Sequence, residues 1–430
     1  AGRLHGGQKC AKVNDVLTGE VAIMNRRSFL ATLGAVGAGA VLVPDACAAE
    51  APGASAPTEE GVFAFPPYAQ LTAPGTLDIR WRTVRPATAF VYWTQDPSLP
   101  RERWARACRM EDGMIVANET RHCVTLRGLD PSKPVRFEAV SEPIKRFGAY
   151  SITRDAAGAS GPRELRPMLG AGALTATIFN DLHGHVDLVP KLLAVPAVAE
   201  AKPTLALFNG DCTDDCGDQA GVERRFLRAL PPLGEAGLAT LYLRGNHEYR
   251  GAMARRIRQN LSPLACGRYY GAFTLGAVRF ICIDSGEDKP DDAPVYGGLL
   301  ATDAYLGEQA AWLAREIESP EHKAARWRVA VLHIPPYSGN AGEDKWYGPT
   351  RLREKMDPLF AKAGLTAMVC AHTHRYSFHP PAKTGRPYPI IIGGGPSETS
   401  ATVMLLKATP ETFALTAYRA DGSALDTIKG

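Results

Sequence analysis

Side chains that can bind metal ions follow five separate apolar segments of this 430-residue chain. Asp181-x-His183 comes after residues 174–179, and His372-x-His374 comes after residues 367–370. Alternate residues of an extended chain point to the same side, so each pair presents two donors together. The donors that follow the five segments are Asp181, His183, Asp211, Asn246, His333, His372 and His374.

These donors suit catalytic rather than structural metal ions. Carboxylate, imidazole and amide groups bind iron, manganese or zinc, and nothing in the sequence has the pattern of a structural zinc site made of four cysteines. The apolar segments alternate with helix-like stretches such as 303–318 and 351–363, which indicates an α/β fold. Because the carboxyl ends of strands converge in such folds, we expect the donors to meet at one place.

The order of the motifs resembles that of the calcineurin-like metallophosphoesterase superfamily. The chain shows D-x-H at 181–183, G-D-x-x-D at 210–214, G-N-H-E at 245–248, a lone His333 and H-x-H at 372–374. The resemblance implies an α/β fold, the four-layer αββα metallophosphoesterase sandwich. It also implies a hydrolase that acts on phosphoric ester bonds, and it leaves open whether the substrate is a monoester or a diester.

The resemblance further implies how the donors are shared between two ions of iron, manganese or zinc. The first ion is expected at Asp181, His183, Asp211 and His374, and the second at Asp211, Asn246, His333 and His372. Asp211 would bridge the ions, and a hydroxide held between them would attack the phosphorus. His247 is expected to stabilise the transition state and protonate the leaving group. Asp214, or Asp215 if the register differs by one residue, would hold His247 in the useful tautomer.

Some residues depart from the family pattern. Asn180 and Ala371 replace the usual glycines before the first and last motifs, but they remove no ligand. Purple acid phosphatases, the subgroup that the chain resembles, carry a tyrosine where this chain has Asp214 and lack a histidine at the His183 position. Without a tyrosinate ligand, we expect no purple charge-transfer band.

Further candidate residues flank the motifs. Glu248 could orient a neighbouring group. Arg244 and Arg250 flank His247 and could bind a phosphate or form surface ion pairs. Trp346 could stack on a base or sugar of the substrate, or pack in a lid.

The sequence pattern of residues 62–170 is typical of a small all-β domain. Segments at 77–82, 89–93, 122–126 and 135–140 predict short strands, with Pro and Asp residues between them. This region resembles the fibronectin type III-like domain that often precedes the catalytic domain in purple acid phosphatase-like proteins. We expect residues 62–170 to form this β-sandwich with a linker tail, and residues 171–430 to form the metallophosphoesterase domain.

The N-terminal residues predict export. Twin arginines at 26–27, a short apolar stretch and an A-x-A pattern at 46–48 resemble a twin-arginine (Tat) signal peptide over residues 24–48. We interpret residues 1–23 as a gene-model extension and residues 49–61 as a linker. The expected protein is periplasmic or extracellular, with no stable membrane span after signal cleavage.

The charge pattern gives no reason to expect a nucleic acid or an anionic membrane as a partner. The net charge is only +4, and the first 48 residues, with five Lys/Arg and three Asp/Glu, carry half of it. The expected partner is a small phosphate-ester substrate. The alternative is a non-catalytic phosphate- or ligand-binding protein on the same scaffold. Cys212 and Cys216 are close enough in sequence to pair, or they are idle buried thiols.

Overall fold

The structure, a computed structural model, describes residues 61–430. The predicted gene-model extension and signal peptide, and all but the last residue of the predicted linker, lie outside the described residues, so export stays a prediction. Within residues 61–430, no helix has both the length and the apolar character needed to cross a membrane. The described chain belongs to one compact unit.

Residues 61–170 consist of strands and loops apart from one 3-10 turn at Arg101–Arg103. The strands are β1 (Phe63–Ala73), β2 (Thr76–Ala87), β3 (Phe90–Thr94), β4 (Ala105–Ala107), β5 (Met110–Glu111), β6 (Met114–Ile115), β7 (Glu119–Leu126), β8 (Val135–Ser141), β9 (Ile144–Phe147), β10 (Ile152–Arg154), β11 (Gly158–Ala159), β12 (Arg163–Leu165) and β13 (Leu169–Gly170).

From Ala173 onward strands alternate with helices. The strands are β14 (Ala173–Phe179), β15 (Leu205–Asn209), β16 (Ala239–Leu243), β17 (Gly271–Leu275), β18 (Val278–Ile283), β19 (Trp327–Leu332), β20 (Ala367–Cys370), β21 (Ser377–His379), β22 (Ile390–Ile392), β23 (Thr402–Ala408), β24 (Phe413–Arg419) and β25 (Ala424–Lys429). The α-helices are α1 (Leu188–Leu193), α2 (Pro196–Ala201), α3 (Gln219–Arg225), α4 (Leu230–Glu235), α5 (Thr302–Glu316), α6 (Pro320–Ala324), α7 (Tyr347–Lys362) and α8 (Pro381–Thr384). Further 3-10 helices span Leu227–Ala229, His247–Tyr249, Ala252–Gln259, Pro294–Tyr296 and Glu343–Lys345.

The strands form two large mixed sheets. The ten-stranded sheet has the order β25-β24-β23-β14-β15-β16-β1-β2-β7, with β13 beside β14, and its central strands β14, β15 and β16 are parallel. The six-stranded sheet has the order β17-β18-β19-β20-β22-β21, and β18, β19, β20 and β22 are parallel. Strands β15, β16, β18 and β20 are buried along their whole length, which explains their largely apolar sequences.

Three apolar clusters define the layers of the molecule. The first lies between the two sheets and contains Leu207 of β15 and Val329 of β19. The second joins the other face of the ten-stranded sheet, including Phe208, to residues of helices α1–α4. The third joins the six-stranded sheet to Leu313 of α5 and Phe360 of α7. The order is therefore helix, sheet, sheet, helix, in agreement with the layering predicted from the sequence.

The N-terminal strands join this core directly. Strand β1 lies parallel to β16, with Gln70 opposite Thr240, so one sheet contains strands from both predicted domains. A separate five-stranded sheet, β11-β8-β3-β4 with β12 beside β8, contributes Phe137 to the apolar cluster between the sheets. The predicted boundary between residues 170 and 171 therefore does not coincide with a break in hydrogen bonding. The fibronectin type III-like assignment stays a prediction.

Replacing Phe137 with alanine tests whether the N-terminal strands share the main core. Phe137 is fully buried, and removing such a ring lowers the free energy of unfolding by about 3–5 kcal/mol. We expect one denaturant transition at a lower midpoint, seen equally by tryptophan fluorescence and circular dichroism. Phe147→Ala, at a 53% exposed position, is the control and should change little. An early transition that leaves the helical signal intact would contradict a shared core.

Candidate metal centre

Five strand ends deliver the predicted donors to one edge of the sheets. Each of β14, β15, β16, β19 and β20 ends within a few residues of a donor. The donors that follow these strands are, in order, Asp181 with His183, then Asp211, then Asn246, then His333, then His372 with His374. The structure brings all seven side chains together, in two groups of ligand atoms that share Asp211.

The backbone at these positions is strained. Five of the seven donors have a positive φ angle: Asp181 at 47°, His183 at 44°, Asp211 at 50°, His372 at 76° and His374 at 53°. Only four other non-glycine residues of the described chain share this conformation. It costs about 1–3 kcal/mol per residue, and it persists where the surrounding structure imposes it. Strain concentrated in this way is typical of a functional site.

The first donor group contains Asp181, His183, Asp211 and His374, whose ligand atoms all lie within 4.8 Å of one another. His183 Nε2 lies 2.9 Å from His374 Nε2 and 3.7 Å from Asp211 Oδ2. His374 Nε2 lies 3.5 Å from Asp181 Oδ1. Two imidazoles and two carboxylates thus face one point.

The second donor group contains Asp211, His333 and His372 within the same 4.8 Å limit, with the Asn246 amide beside them. His333 Nε2 lies 3.0 Å from Asp211 Oδ2. His333 Nδ1 donates to the Asn209 carbonyl at 2.8 Å, which directs Nε2 toward the group. Asp211 therefore contributes to both groups, as the bridging role predicted for it requires.

The chemistry of the donor set fits a cation. Asp181 Oδ1 and His372 Nε2 are buried and have no hydrogen-bond partner among the described residues. Asn246 Oδ1 lies 2.9 Å from His372 Nδ1 and 3.2 Å from His333 Nε2. In this orientation the amide presents an acceptor to other acceptors, and a cation stabilises such a set. The opposite amide orientation would donate to the same atoms and would accept from Arg250 Nη2 at 3.0 Å, so the assignment depends on what the site holds.

Two buried carboxylates dominate the electrostatics of the site. Asp181 and Asp211 are both 0% exposed. Burial raises the pKa of Asp181 to about 7, against the opposing charge of His333. Burial also acts to raise the pKa of Asp211, but the imidazoles of His333 and His247 outweigh it and hold that pKa below its usual range. Positive charge at the centre of the site would relieve the cost of burying both groups.

The predicted role of Asp214 requires a correction. The Asp214 side chain does not hold His247; its Oδ1 lies 3.0 Å from Nδ1 of the donor His183. His247 Nδ1 instead donates to the backbone carbonyl of Asp214 at 2.6 Å. With its carboxylate engaged by His183, Asp214 presents only its carbonyl to His247. Asp215 is not the alternative, because it pairs with Arg225 at 2.8 Å.

Glu248 is buried and holds the backbone of two motifs together. Its Oε2 accepts hydrogen bonds from the Asp211 and Gly245 amides at 2.9 and 2.8 Å, and its Oε1 accepts one from the Cys212 amide at 2.8 Å. It therefore fixes the strained turn that presents Asp211. These contacts support the role predicted for Glu248, which is to orient a neighbouring group.

Asn180 has a role that the sequence did not reveal. Its amide nitrogen donates to Asp181 Oδ2 and to the Gly394 carbonyl, each at 2.7 Å. A Cβ atom at Gly393 would lie 1.9 Å from Asn180 Oδ1, so glycine is required there. The only sequence signal was that Asn180 replaces a glycine and that three glycines follow β22.

Some residues that flank the motifs are buried and structural, and others lie at the exposed edge of the site. Arg244 is scaffold, because its guanidinium binds the buried Asp284 carboxylate and the Tyr249 hydroxyl. Cys212 and Cys216 are free buried thiols. Trp346 lies at the rim: it is 47% exposed, and its ring centroid is 6.1 Å from that of His372.

Comparison with known proteins is consistent with this geometry. Residues 174–376, which include all seven donors, match the family model described as calcineurin-like phosphoesterase. This part of the chain is therefore similar to calcineurin-like phosphoesterases. A segment of 69 residues is 30% identical to the probable purple acid phosphatase 20 of Arabidopsis thaliana. That alignment covers only 16% of this chain and 16% of the Arabidopsis protein.

A solved structure supports the fold over most of the chain. The purple acid phosphatase PPD1 from yellow lupin (Lupinus luteus) seeds superposes with a TM-score of 0.60, covering 86% of this chain and 75% of that one. The two sequences are 12% identical over this superposition, so the likeness concerns the fold alone.

Substituting Glu248 with glutamine tests its role as a backbone clamp. Glutamine has a single side-chain acceptor oxygen, so at least one of the three amides would face an NH2 group or lose its partner. We expect a loss of about 1–3 kcal/mol in the free energy of unfolding, measured by denaturant titration. Glu102→Gln, at an exposed position, is the matched control. If both variants have the same stability, the clamp contributes nothing.

Proposed function

We propose that this protein hydrolyses phosphate esters with two bound metal ions. The observation that carries the proposal is the pair of donor groups that share the buried Asp211 carboxylate. Asp181, His183, Asp211 and His374 would hold one ion, and Asp211, Asn246, His333 and His372 the other. Iron, manganese and zinc all accept carboxylate, imidazole and amide donors. The substrate would be a small phosphate ester.

The protein's own contacts pre-orient these donors. When bound, the ions would supply positive charge for the phosphate oxygens and lower the pKa of water. The His333 contact to the Asn209 carbonyl and the His183 contact to Asp214 occupy Nδ1 of each ring, which leaves both Nε2 atoms toward the site. Contacts of this kind fix ring orientation and make the imidazoles better ligands.

His247 is positioned to act on the substrate rather than to hold an ion. Its backbone amide donates to Asp211 Oδ1 at 2.9 Å, and its Nδ1 donates to the Asp214 carbonyl. Its Nε2 lies 3.9 Å from Asp211 Oδ2 and 3.0 Å from Arg250 Nη1, on the side of the ring that faces the donors. When the ring is protonated, Nε2 could stabilise charge on a phosphate oxygen or pass a proton to the leaving group.

The competing candidate is a non-catalytic binding protein on the same scaffold. Loss of catalysis would be expected to leave gaps among the donors or at the His247 position. The chain instead retains every donor, and all of them are brought together. The complete set favours hydrolysis, because phosphate binding alone does not require a group placed as His247 is.

Metal removal and two substitutions test the proposed activity. We expect purified protein to hydrolyse p-nitrophenyl phosphate or its bis ester and to lose this activity on chelation. Asp211→Asn should abolish activity and lower the metal content measured by plasma mass spectrometry, because both donor groups lose a charged ligand. His247→Ala should lower kcat by about 10²- to 10⁴-fold with unchanged metal content.

The matched control for the first substitution is Asp187→Asn, because Asp187 is 62% exposed and belongs to neither donor group. It should retain full activity and metal content. Protein that binds two metal ions per chain but hydrolyses neither ester would support the binding-protein alternative. Protein that binds no metal under any loading condition would contradict the site itself.

The visible spectrum provides a separate test of the ligand set. No tyrosine stands at the position of Asp214, and the Asp214 carboxylate contacts His183 instead. We therefore expect iron-loaded protein to lack the tyrosinate-to-iron absorption band that colours purple acid phosphatases. A purple iron-loaded protein would show that a tyrosine reaches the metal and that the donor set is wrong.

A further inference from the structure

Arg250 lies between the metal donors and residues 287–288, which belong to none of the five sequence motifs. It follows the 3-10 helix His247–Tyr249, and its guanidinium lies beside Asn246 and His247 of the G-N-H-E motif. Nη1 lies 3.0 Å from His247 Nε2, and Nη2 lies 3.0 Å from the Asn246 amide group. Because His247 Nε2 is itself 3.9 Å from Asp211 Oδ2, Arg250 and His247 form one wall beside the donors.

Two carboxylates fix the guanidinium in this position. Arg250 Nε donates to Glu287 Oε1 at 2.6 Å, and Nη2 donates to Glu287 Oε2 at 3.2 Å and to Asp288 Oδ1 at 3.3 Å. The Glu287 side chain is 0% exposed, whereas that of Arg250 remains 27% exposed. A paired contact of this kind sets the plane of the guanidinium as well as its position.

The segment that carries these carboxylates is itself anchored. The buried Arg351 of α7 donates to the backbone carbonyls of Ser285 and Glu287 at 3.0 and 3.2 Å. Arg250 therefore rests on a rigid support. Nη1 carries two hydrogens and has one hydrogen-bond partner among the described residues, His247, so it can donate one further hydrogen bond.

This geometry distinguishes two classes of substrate. A phosphomonoester has three terminal oxygens and two negative charges, so if each of two ions bound one oxygen, the third would remain for another donor. A phosphodiester has two terminal oxygens and one charge, and its second ester group would have to occupy the remaining position. A fixed guanidinium favours an anionic oxygen there and offers nothing to an organic substituent.

We infer that Arg250 binds a terminal phosphate oxygen and makes the site selective for phosphomonoesters. This inference rests on the proposed phosphoesterase function and adds the class of substrate to it. Glu287 and Asp288 act as positioning residues for Arg250. A charge-assisted hydrogen bond of this kind corresponds to about a 10- to 100-fold change in binding or rate.

The test compares two esters and inorganic phosphate on the metal-loaded protein. We expect the wild-type protein to prefer p-nitrophenyl phosphate over bis(p-nitrophenyl) phosphate. Arg250→Ala should lower kcat/KM for the monoester about 10- to 100-fold and leave that for the diester within about threefold. It should weaken binding of inorganic phosphate, measured by calorimetry, by a similar factor. Metal content should not change.

Arg250→Ala would leave the Glu287 carboxylate buried without its partner, which can impair folding. The double variant Arg250→Met with Glu287→Gln removes both charges and retains the volume, and it should lose monoester preference in the same way. Arg256→Ala, at an exposed position on the next 3-10 helix, is the matched control. It should behave as the wild type in all assays.

Three outcomes separate failure of this inference from failure of the proposed function. If the wild-type protein hydrolyses neither ester, the proposed function fails. If it hydrolyses esters but Arg250→Ala and the double variant lower both activities equally, Arg250 only supports His247 and the inference fails. Unchanged phosphate binding in both variants would also overturn it.

Discussion

Two carboxylates that are buried at adjacent strand ends impose the constraint on which the rest of the structure depends. Asp181 and Asp211 are removed from water, and the groups around them are largely other acceptors and imidazoles. Burying two such charges without compensation is expensive, and hydrogen bonds from Asn180 and His247 offset only part of it. The arrangement makes physical sense as a receptor for cations, and the shared position of Asp211 is what the proposed pair of ions requires.

The residues around the donors keep them in backbone conformations that the chain would not adopt locally. Left-handed backbone at five donors would relax if the chain were free to do so. Glu248 prevents this at Asp211 by binding three backbone amides, and Asn180 and the glycines after β22 confine Asp181. Beneath these contacts lie parallel strands buried on both faces, whose packing does not deform easily. The positions of the donors are therefore fixed by surrounding residues that are not themselves metal donors.

The sequence was sufficient for the features governed by local pattern. Uninterrupted apolar segments predicted the parallel strands, and the helix predicted at 303–318 corresponds to α5. Donor residues placed directly after strands were sufficient to predict that they would meet, since strand direction is fixed by the fold class.

Features governed by long-range packing could not be predicted in the same way. The sequence predicted that the Asp214 carboxylate would contact His247, but it contacts His183, and the Asp214 carbonyl contacts His247. The difference depends on the conformation of one loop. The bond from Asn180 to Gly394 joins residues more than two hundred positions apart. The pairing of β1 with β16 had no local signal, because the sequence of a strand does not identify which strand lies beside it.

That pairing has a consequence for how the chain must acquire its structure during synthesis. Gln70 emerges from the ribosome long before its partner Thr240, and β2 and β7 can extend the main sheet only through β1. The first hundred described residues therefore present an unpaired β1 edge until β16 has been synthesised. They remain dependent on a non-local contact, which is slow to form and leaves apolar surface open to association in the meantime.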